Sequence, residues 1–67
     1  MTRKGYKRLA TMWGEELKRL RRDDTEYGVV ALGTFYHLLG LLATGLKEEN
    51  PSFNEEMFMG AVEIHAL

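Results

Sequence analysis

The chain contains no cysteine, so neither a disulfide nor a thiolate-bound metal can hold the fold together. Its 67 residues are enough for one small domain. A chain of this size buries only about 60% of the surface that its unfolded form exposes. We therefore expect stability to come from packed helices, from self-association or from a partner. The composition, 45% hydrophobic and 28% charged, is typical of a globular protein and argues against wholesale disorder.

Residues suited to catalysis or metal binding are also scarce. Glu63 and His65 are two positions apart, which places them on different faces of a helix, whereas a zinc-binding helix needs a spacing of three or four. Ser52 is the single serine, and no glycine-rich loop follows a strand. The adjacent glutamate pairs point about 100° apart on a helix and do not converge as an acid–base couple. The sequence therefore predicts no enzyme, no metal site and no cofactor.

Basic residues are nearly absent beyond position 22. Eight of the nine lysines and arginines lie in residues 1–22, which carry a net charge of +6, whereas residues 23–67 carry −7. A basic segment can contact phosphates, lipid headgroups or an acidic protein surface. We interpret its cations as a candidate partner-binding face, comprising Lys4, Lys7, Arg8, Lys18, Arg19, Arg21 and Arg22.

The apolar spacing predicts an all-α fold with three helices, at about 4–22, 26–47 and 54–65, in a single small domain of residues 1–67. The break at 23–25 offers three candidate caps for the second helix: Asp23, Asp24 and Thr25. In the third helix, Asn54 is the predicted N-cap, and Phe53 and Phe58 form a hydrophobic-staple pattern. The glycines at positions 5 and 14 are predicted weak points of the first helix.

The predicted second helix is apolar on every side. Residues 27–46 contain no formal charge, which meets the length of about 20 residues that a membrane-spanning helix needs. They also present more apolar surface than two short helices can cover, which predicts that dimerisation completes the bundle. We assign a core or self-association role to Trp13, Phe35, Leu38, Leu39, Leu42 and Leu46.

Both ends of the chain carry short motifs. The chain opens Met1-Thr2-Arg3-Lys4-Gly5-Tyr6, and near its end Asn50-Pro51-Ser52-Phe53-Asn54 precedes Phe58. These segments and their spacing resemble a group of small hypothetical proteins of tailed phages and prophages. Those proteins open with Met-Thr-Lys/Arg-Lys-acid-aromatic and close with Asn-Pro-Arg-Phe-Asp, three variable residues and Phe. The chain departs from the pattern at Gly5, Ser52 and Asn54. The resemblance implies a phage origin and a small helical fold, with no activity attached.

Three binding functions follow from these features. We expect a small accessory protein that acts in the host cytoplasm by protein–protein binding, as a homodimer, on a host or phage factor. The first alternative is nucleic-acid binding through the basic first helix. The second is a single-pass membrane protein that spans the bilayer with residues 27–46 and keeps its basic segment in the cytoplasm.

Overall fold

Three α-helices make up the fold in the computed structural model, which describes residues 2–67. They are α1 (Arg3–Arg22), α2 (Glu26–Glu49) and α3 (Glu55–His65), and no strand occurs within the described residues. The predicted all-α class is confirmed, and each helix begins and ends within two residues of its predicted boundary. Met1, the first residue of the N-terminal motif, lies outside the described residues.

Each helix begins at a polar side chain that accepts a hydrogen bond from the amide three residues further on. The capping residues are Thr2, Thr25 and Asn54. Of the three candidate caps for α2, the fold uses Thr25, because the Asp23 carboxylate instead accepts from the Thr25 amide (3.0 Å) and from the Thr25 hydroxyl. The turn between α1 and α2 is thus fixed by side chains that satisfy the free amides at a helix start.

The hydrogen bonds to Asp23 make the stability depend on pH. The Thr25 hydroxyl, followed by the Thr25 amide, holds the pKa of the Asp23 carboxyl below its ordinary value. The folded state then binds fewer protons than the unfolded state, so the stabilisation is complete above the ordinary aspartate pKa of about 4 and is lost as the pH falls through the lower, folded-state pKa. We expect Asp23→Asn to flatten the fall in melting temperature as the pH is lowered below about 4.

Thermal melts followed by circular dichroism at a series of acidic pH values measure this effect. The matched control is Asp24→Asn, which removes the neighbouring carboxylate but leaves the Asp23–Thr25 hydrogen bonds intact. An Asp23→Asn variant with the same acid dependence as the Asp24→Asn variant would contradict the assignment.

The core receives one fully buried large side chain from each helix: Leu17 from α1, Leu39 from α2 and Val62 from α3. The loop before α3 adds Phe53, whose ring lies 4.8 Å from Tyr6 and 5.5 Å from Phe58, centroid to centroid. The predicted pair of Phe53 and Phe58 on either side of the Asn54 cap is therefore in contact. These contacts fix the angle at which the chain enters α3.

The α1 helix packs mainly against α3, and Gly14 lies where the two helices are in close contact. A Cβ atom at Gly14 would lie 2.6 Å from the Val62 carbonyl oxygen and even closer to the His65 Cβ. Gly14 was expected to be a weak point of α1 on helix propensity alone. Its buried position shows that the missing side chain is what lets α3 pack against α1.

The α2 helix sets the length of the molecule. Its 24 residues span about 36 Å at 1.5 Å per residue, close to the longest dimension of 38 Å. Only one side of α2 is buried, at Gly28, Leu39, Ala43 and Leu46. The side chains on the opposite side are exposed in the described part of the chain.

Candidate partner-binding surfaces

One side of α2 is exposed along most of the helix and carries no charge. Tyr27, Val30, Thr34, His37, Leu41 and Thr44 are all exposed and recur at spacings of three and four, which aligns them along one stripe of the helix. We call these six residues, together with Gly33, Gly40 and Gly45 beside them, the outer face of α2. Tyr27 is 73% exposed, Val30 66% and Leu41 58%, and these apolar side chains alternate with the uncharged polar residues Thr34, His37 and Thr44.

The glycines of the outer face leave room for close approach. A Cβ atom at Gly33, Gly40 or Gly45 would meet nothing within 4 Å, in contrast to Gly14. Glycine costs about 1 kcal/mol relative to alanine in a helix interior, and nothing within the chain requires it at these three positions. The face is therefore open enough for another backbone to approach it closely.

The α2 helix is the one helix in the described chain that is long and apolar enough to cross a membrane. Only 17% of its most apolar stretch is buried. A membrane span and an uncovered binding helix share this signature, so the neighbouring helices decide which interpretation the fold favours.

Two side chains of α1 contact the middle of α2. Trp13 packs on Phe35 with ring centroids 4.9 Å apart, and Arg21 donates a hydrogen bond to the Tyr36 hydroxyl (2.6 Å). These contacts hold the α1 segment 13–21 beside the middle of α2. Lys18 and Arg19 would thus enter the hydrocarbon if α2 crossed a bilayer in this fold, at a cost of about 2.5–3.5 kcal/mol each at mid-bilayer.

The seven cations predicted to bind a partner divide into two groups in the structure. Lys4, Lys7, Arg8 and Arg22 are exposed, and Lys18 is half-buried. The other two are paired within the chain, Arg19 with Glu16 and Arg21 with Glu63 (2.7 Å). The cations that remain available lie on the side of α1 that faces away from α2, and we call Lys4, Lys7, Arg8, Lys18 and Arg22 the basic surface of α1.

Arg21 joins all three helices instead of extending the basic surface. Its guanidinium donates to the Tyr36 hydroxyl on α2 and to the Glu63 carboxylate on α3, and Tyr36 in turn donates to Glu63 (3.2 Å). The bond to Glu63 raises the pKa of the Arg21 guanidinium above its ordinary value. This triad is not evident from the sequence, because its members are up to 42 positions apart.

The aromatic residues of α1 face inward. Tyr6 and Trp13 are half-buried, and each packs against an aromatic ring elsewhere in the chain. They are therefore not available to stack on nucleic-acid bases between the cations of α1, which is how single-stranded nucleic acid is commonly held.

Residues assigned to a core or self-association role lie mostly inside the protomer. Leu39 and Leu46 are buried, and Trp13, Phe35 and Leu42 are partly buried against the core. Leu38 alone is exposed, at 48%. The residues that face outward on α2 form a different stripe. The sequence alone does not distinguish this exposed stripe from the buried one.

A shallow groove of about 670 Å³ lies between α1 and α3. Arg3 and Lys7 border it, and the rings of Tyr6, Phe53 and Phe58 line its apolar floor. A cationic edge above an apolar floor suits a protein segment in which acidic side chains flank an apolar one. No group of three metal-ligating side chains occurs within residues 2–67.

No known protein family, curated protein or solved structure matches the chain. Function must therefore be argued from the surfaces themselves.

Proposed function

We propose that the chain is a small phage-type accessory protein that acts by protein–protein binding in the cytoplasm of the host cell. The observation that carries the proposal is the outer face of α2, an uncharged and exposed helix side about 27 Å long that presents Tyr27, Val30 and Leu41. Contiguous apolar surface of this kind on a small soluble fold is typical of a protein interaction site.

Two features of α1 favour a protein over a lipid bilayer as the partner of that face. Trp13 and Arg21 hold α1 against α2, so crossing a membrane in this fold would carry the cations of α1 towards the hydrocarbon together with the apolar helix. Arg21 is bonded to Tyr36 near the middle of α2, which keeps α1 and α2 together. A protein partner can cover the outer face and leave α1 in water.

The charges of α1 and α3 favour a protein over nucleic acid. α3 carries Glu55, Glu56 and Glu63 without a lysine or arginine, and it packs along α1. Glu15 and Glu16 also interrupt the basic segment, and Glu16 pairs with Arg19. A surface with interleaved charges of both signs suits a protein with a complementary pattern better than the uniform negative charge of a phosphate backbone.

The basic surface of α1 has a separate part in this proposal. Exposed cations steer an approaching acidic protein and raise its association rate, an effect that salt screens. We propose that the surface directs the chain to an acidic region of a host or phage protein, which it then modulates by occupying that region.

Photo-crosslinking in living bacteria tests the proposal. A photo-crosslinking amino acid at Leu41 should yield protein adducts, because position 41 lies on the outer face of α2. The matched control is the same amino acid at Ile64, which is 67% exposed on α3 but lies outside both proposed surfaces. Protein adducts at position 41 and few at position 64 are the expected result. Absence of protein adducts at position 41, or recovery of the chain only in the membrane fraction, would overturn the proposal.

Duplex DNA should bind weakly or not at all. We expect the fluorescence anisotropy of a labelled duplex at about 50 mM salt to show no binding below about 10 µM protein, weaker than a chain that makes six or more phosphate contacts at this salt concentration. Tight binding that Lys7→Glu and Arg8→Glu together abolish, and that falls steeply with added salt, would favour the nucleic-acid alternative.

A further inference from the structure

We infer that the outer face of α2 packs against the outer face of α2 in a second copy of this chain. The inference rests on the proposed function, since it names the partner of the same face. The contact between the two copies is made by the exposed stripe through Val30, His37 and Leu41. The leucines at positions 39 and 46 are buried within each copy and do not take part.

The spacing of the outer face is that of a helix pair. The residues at 27, 30, 34, 37, 41 and 44 alternate in steps of three and four, an average of about 3.5, which keeps a seam facing a partner helix along its whole length. The occupant that fits this seam best is therefore another helix.

The ends of the outer face identify that helix as a second α2. Glu26 and Lys47 bound an uncharged stretch of 20 residues, and a partner helix that fully covers it must also lack charge over that length. Within this chain, α2 alone meets the requirement, because α1 is charged throughout and α3 has only 11 residues. Two copies aligned centre to centre leave every charged end in water.

The exposed area has the scale of a weak, concentration-dependent interface. Three large apolar side chains of the outer face are exposed to between 58% and 73%: Tyr27, Val30 and Leu41. Covering them, with the threonines and glycines beside them, would remove on the order of a few hundred Å² from each copy, which is the range of transient interfaces that bury less than about 1,200 Å² in total. The protomer has only three fully buried large side chains. Burial of further apolar surface between two copies would therefore add to its stability.

The charges of α1 do not oppose this pairing. At 100° per residue, the five cations of the basic surface lie roughly 120° or more around α1 from Trp13, the residue that contacts α2. Pairing through α2 therefore keeps the two basic surfaces apart and exposed. A dimer would present two copies of the basic surface to an acidic target, and simultaneous engagement of both would raise its avidity.

Light scattering coupled to gel filtration of the purified full chain tests the inference. The expected mass in detergent-free buffer is about 15 kDa, twice the 7.7 kDa of one chain. Leu41→Asp should raise the dissociation constant at least about a hundredfold, because the two-fold relation of the copies buries two carboxylates. Ile64→Asp, a similar change on α3, should leave the mass at about 15 kDa. A wild-type chain that stays at 7.7 kDa at about 100 µM would overturn the inference.

A cysteine at position 37 gives a second measurement that does not depend on destabilising the protein. The chain has no native cysteine, and His37 lies at the midpoint of α2. Helix axes 8–10 Å apart place facing Cα atoms about 4–5 Å apart, which is within disulfide range. A centred pair therefore brings position 37 opposite its counterpart whether the helices run parallel or antiparallel.

His37→Cys is expected to form a disulfide-linked dimer under mild oxidation at low protein concentration. The control is Ile64→Cys, which should stay monomeric on a non-reducing gel because position 64 lies outside the interface. Equal cross-linking of the two variants would show random collision and would overturn the inference.

Failure of the inference is distinguishable from failure of the proposed function. If the purified chain is a monomer but position 41 cross-links in cells to a different protein, self-association is excluded and the proposed protein binding is supported. If the purified chain is a monomer and position 41 yields no protein adduct, both self-association and the proposed protein binding are excluded.

Discussion

Gly14→Ala is expected to lower the free energy of unfolding by about 1–3 kcal/mol. The same substitution normally stabilises a helix interior by about 1 kcal/mol, since alanine has the higher helix propensity. At Gly14 the sign reverses, because the new Cβ would lie 2.6 Å from the Val62 carbonyl oxygen, a backbone atom that cannot rotate away. α1 and α3 would have to separate, which loosens the main helix contact of the fold.

Gly60→Ala is the matched control for Gly14→Ala. Gly60 is exposed on α3, and a Cβ atom there would meet nothing within 4 Å. We expect this variant to be more stable than the wild type by up to about 1 kcal/mol. Urea denaturation at one protein concentration measures both variants. Stabilisation by Gly14→Ala would show that α3 does not pack as closely on α1 as the structure describes.

Leu39→Ala is expected to cost about 2–5 kcal/mol of folding free energy, the largest effect of any single truncation of α2. Leu39 has no exposed surface and is the central contribution of α2 to the core. A domain of this length has a total stability of only about 3–10 kcal/mol, so the variant should be partly unfolded at 37 °C. The loss of cooperative unfolding in a thermal melt would show this directly.

Leu67→Ala removes the same side-chain atoms at a position that is 85% exposed, and it serves as the control for Leu39→Ala. We expect its melting curve to coincide with that of the wild type within about 0.5 kcal/mol. If Leu39→Ala unfolded with the same midpoint as Leu67→Ala, the buried side of α2 would have been assigned incorrectly.

Local signals in the sequence were enough to place the helices. The spacing of Tyr6, Leu9 and Trp13, the break at 23–25 and the Asn50-Pro51 pair gave boundaries that the structure moves by two residues at most. The Asn54 cap and the contact between Phe53 and Phe58 were also visible beforehand. These signals involve residues within about five positions of each other, so neighbours in sequence decide them.

The two sides of α2 could not be separated in the same way. Leu38, Leu39, Leu41 and Leu42 are equally apolar, and a helix that is apolar on every side has no stripe that marks the core. The structure buries Leu39 and exposes Leu41 to 58%. The contact between Trp13 and Phe35 sets the rotation of α2, and it joins residues that are far apart in sequence.

The candidate surfaces show a similar division. The basic segment is evident from the sequence, but the sequence also predicts that Arg19 and Arg21 are available to bind a partner. Their pairing with Glu16 and with the Tyr36–Glu63 pair was not evident before the helices were packed. Position along α1 alone cannot show which cations neighbouring helices neutralise.

By itself, the sequence determined that the chain forms three capped helices, that eight of its nine lysines and arginines lie in α1 and that residues 27–46 of α2 are uncharged. Periodicity, capping and composition establish these features because each depends on residues close together in the chain. Only the tertiary structure decided that Gly14 is a packing contact, that Arg21 joins three helices and which side of α2 stays uncovered. Those outcomes depend on how the helices rotate and approach one another, and burial over long sequence separations sets that arrangement.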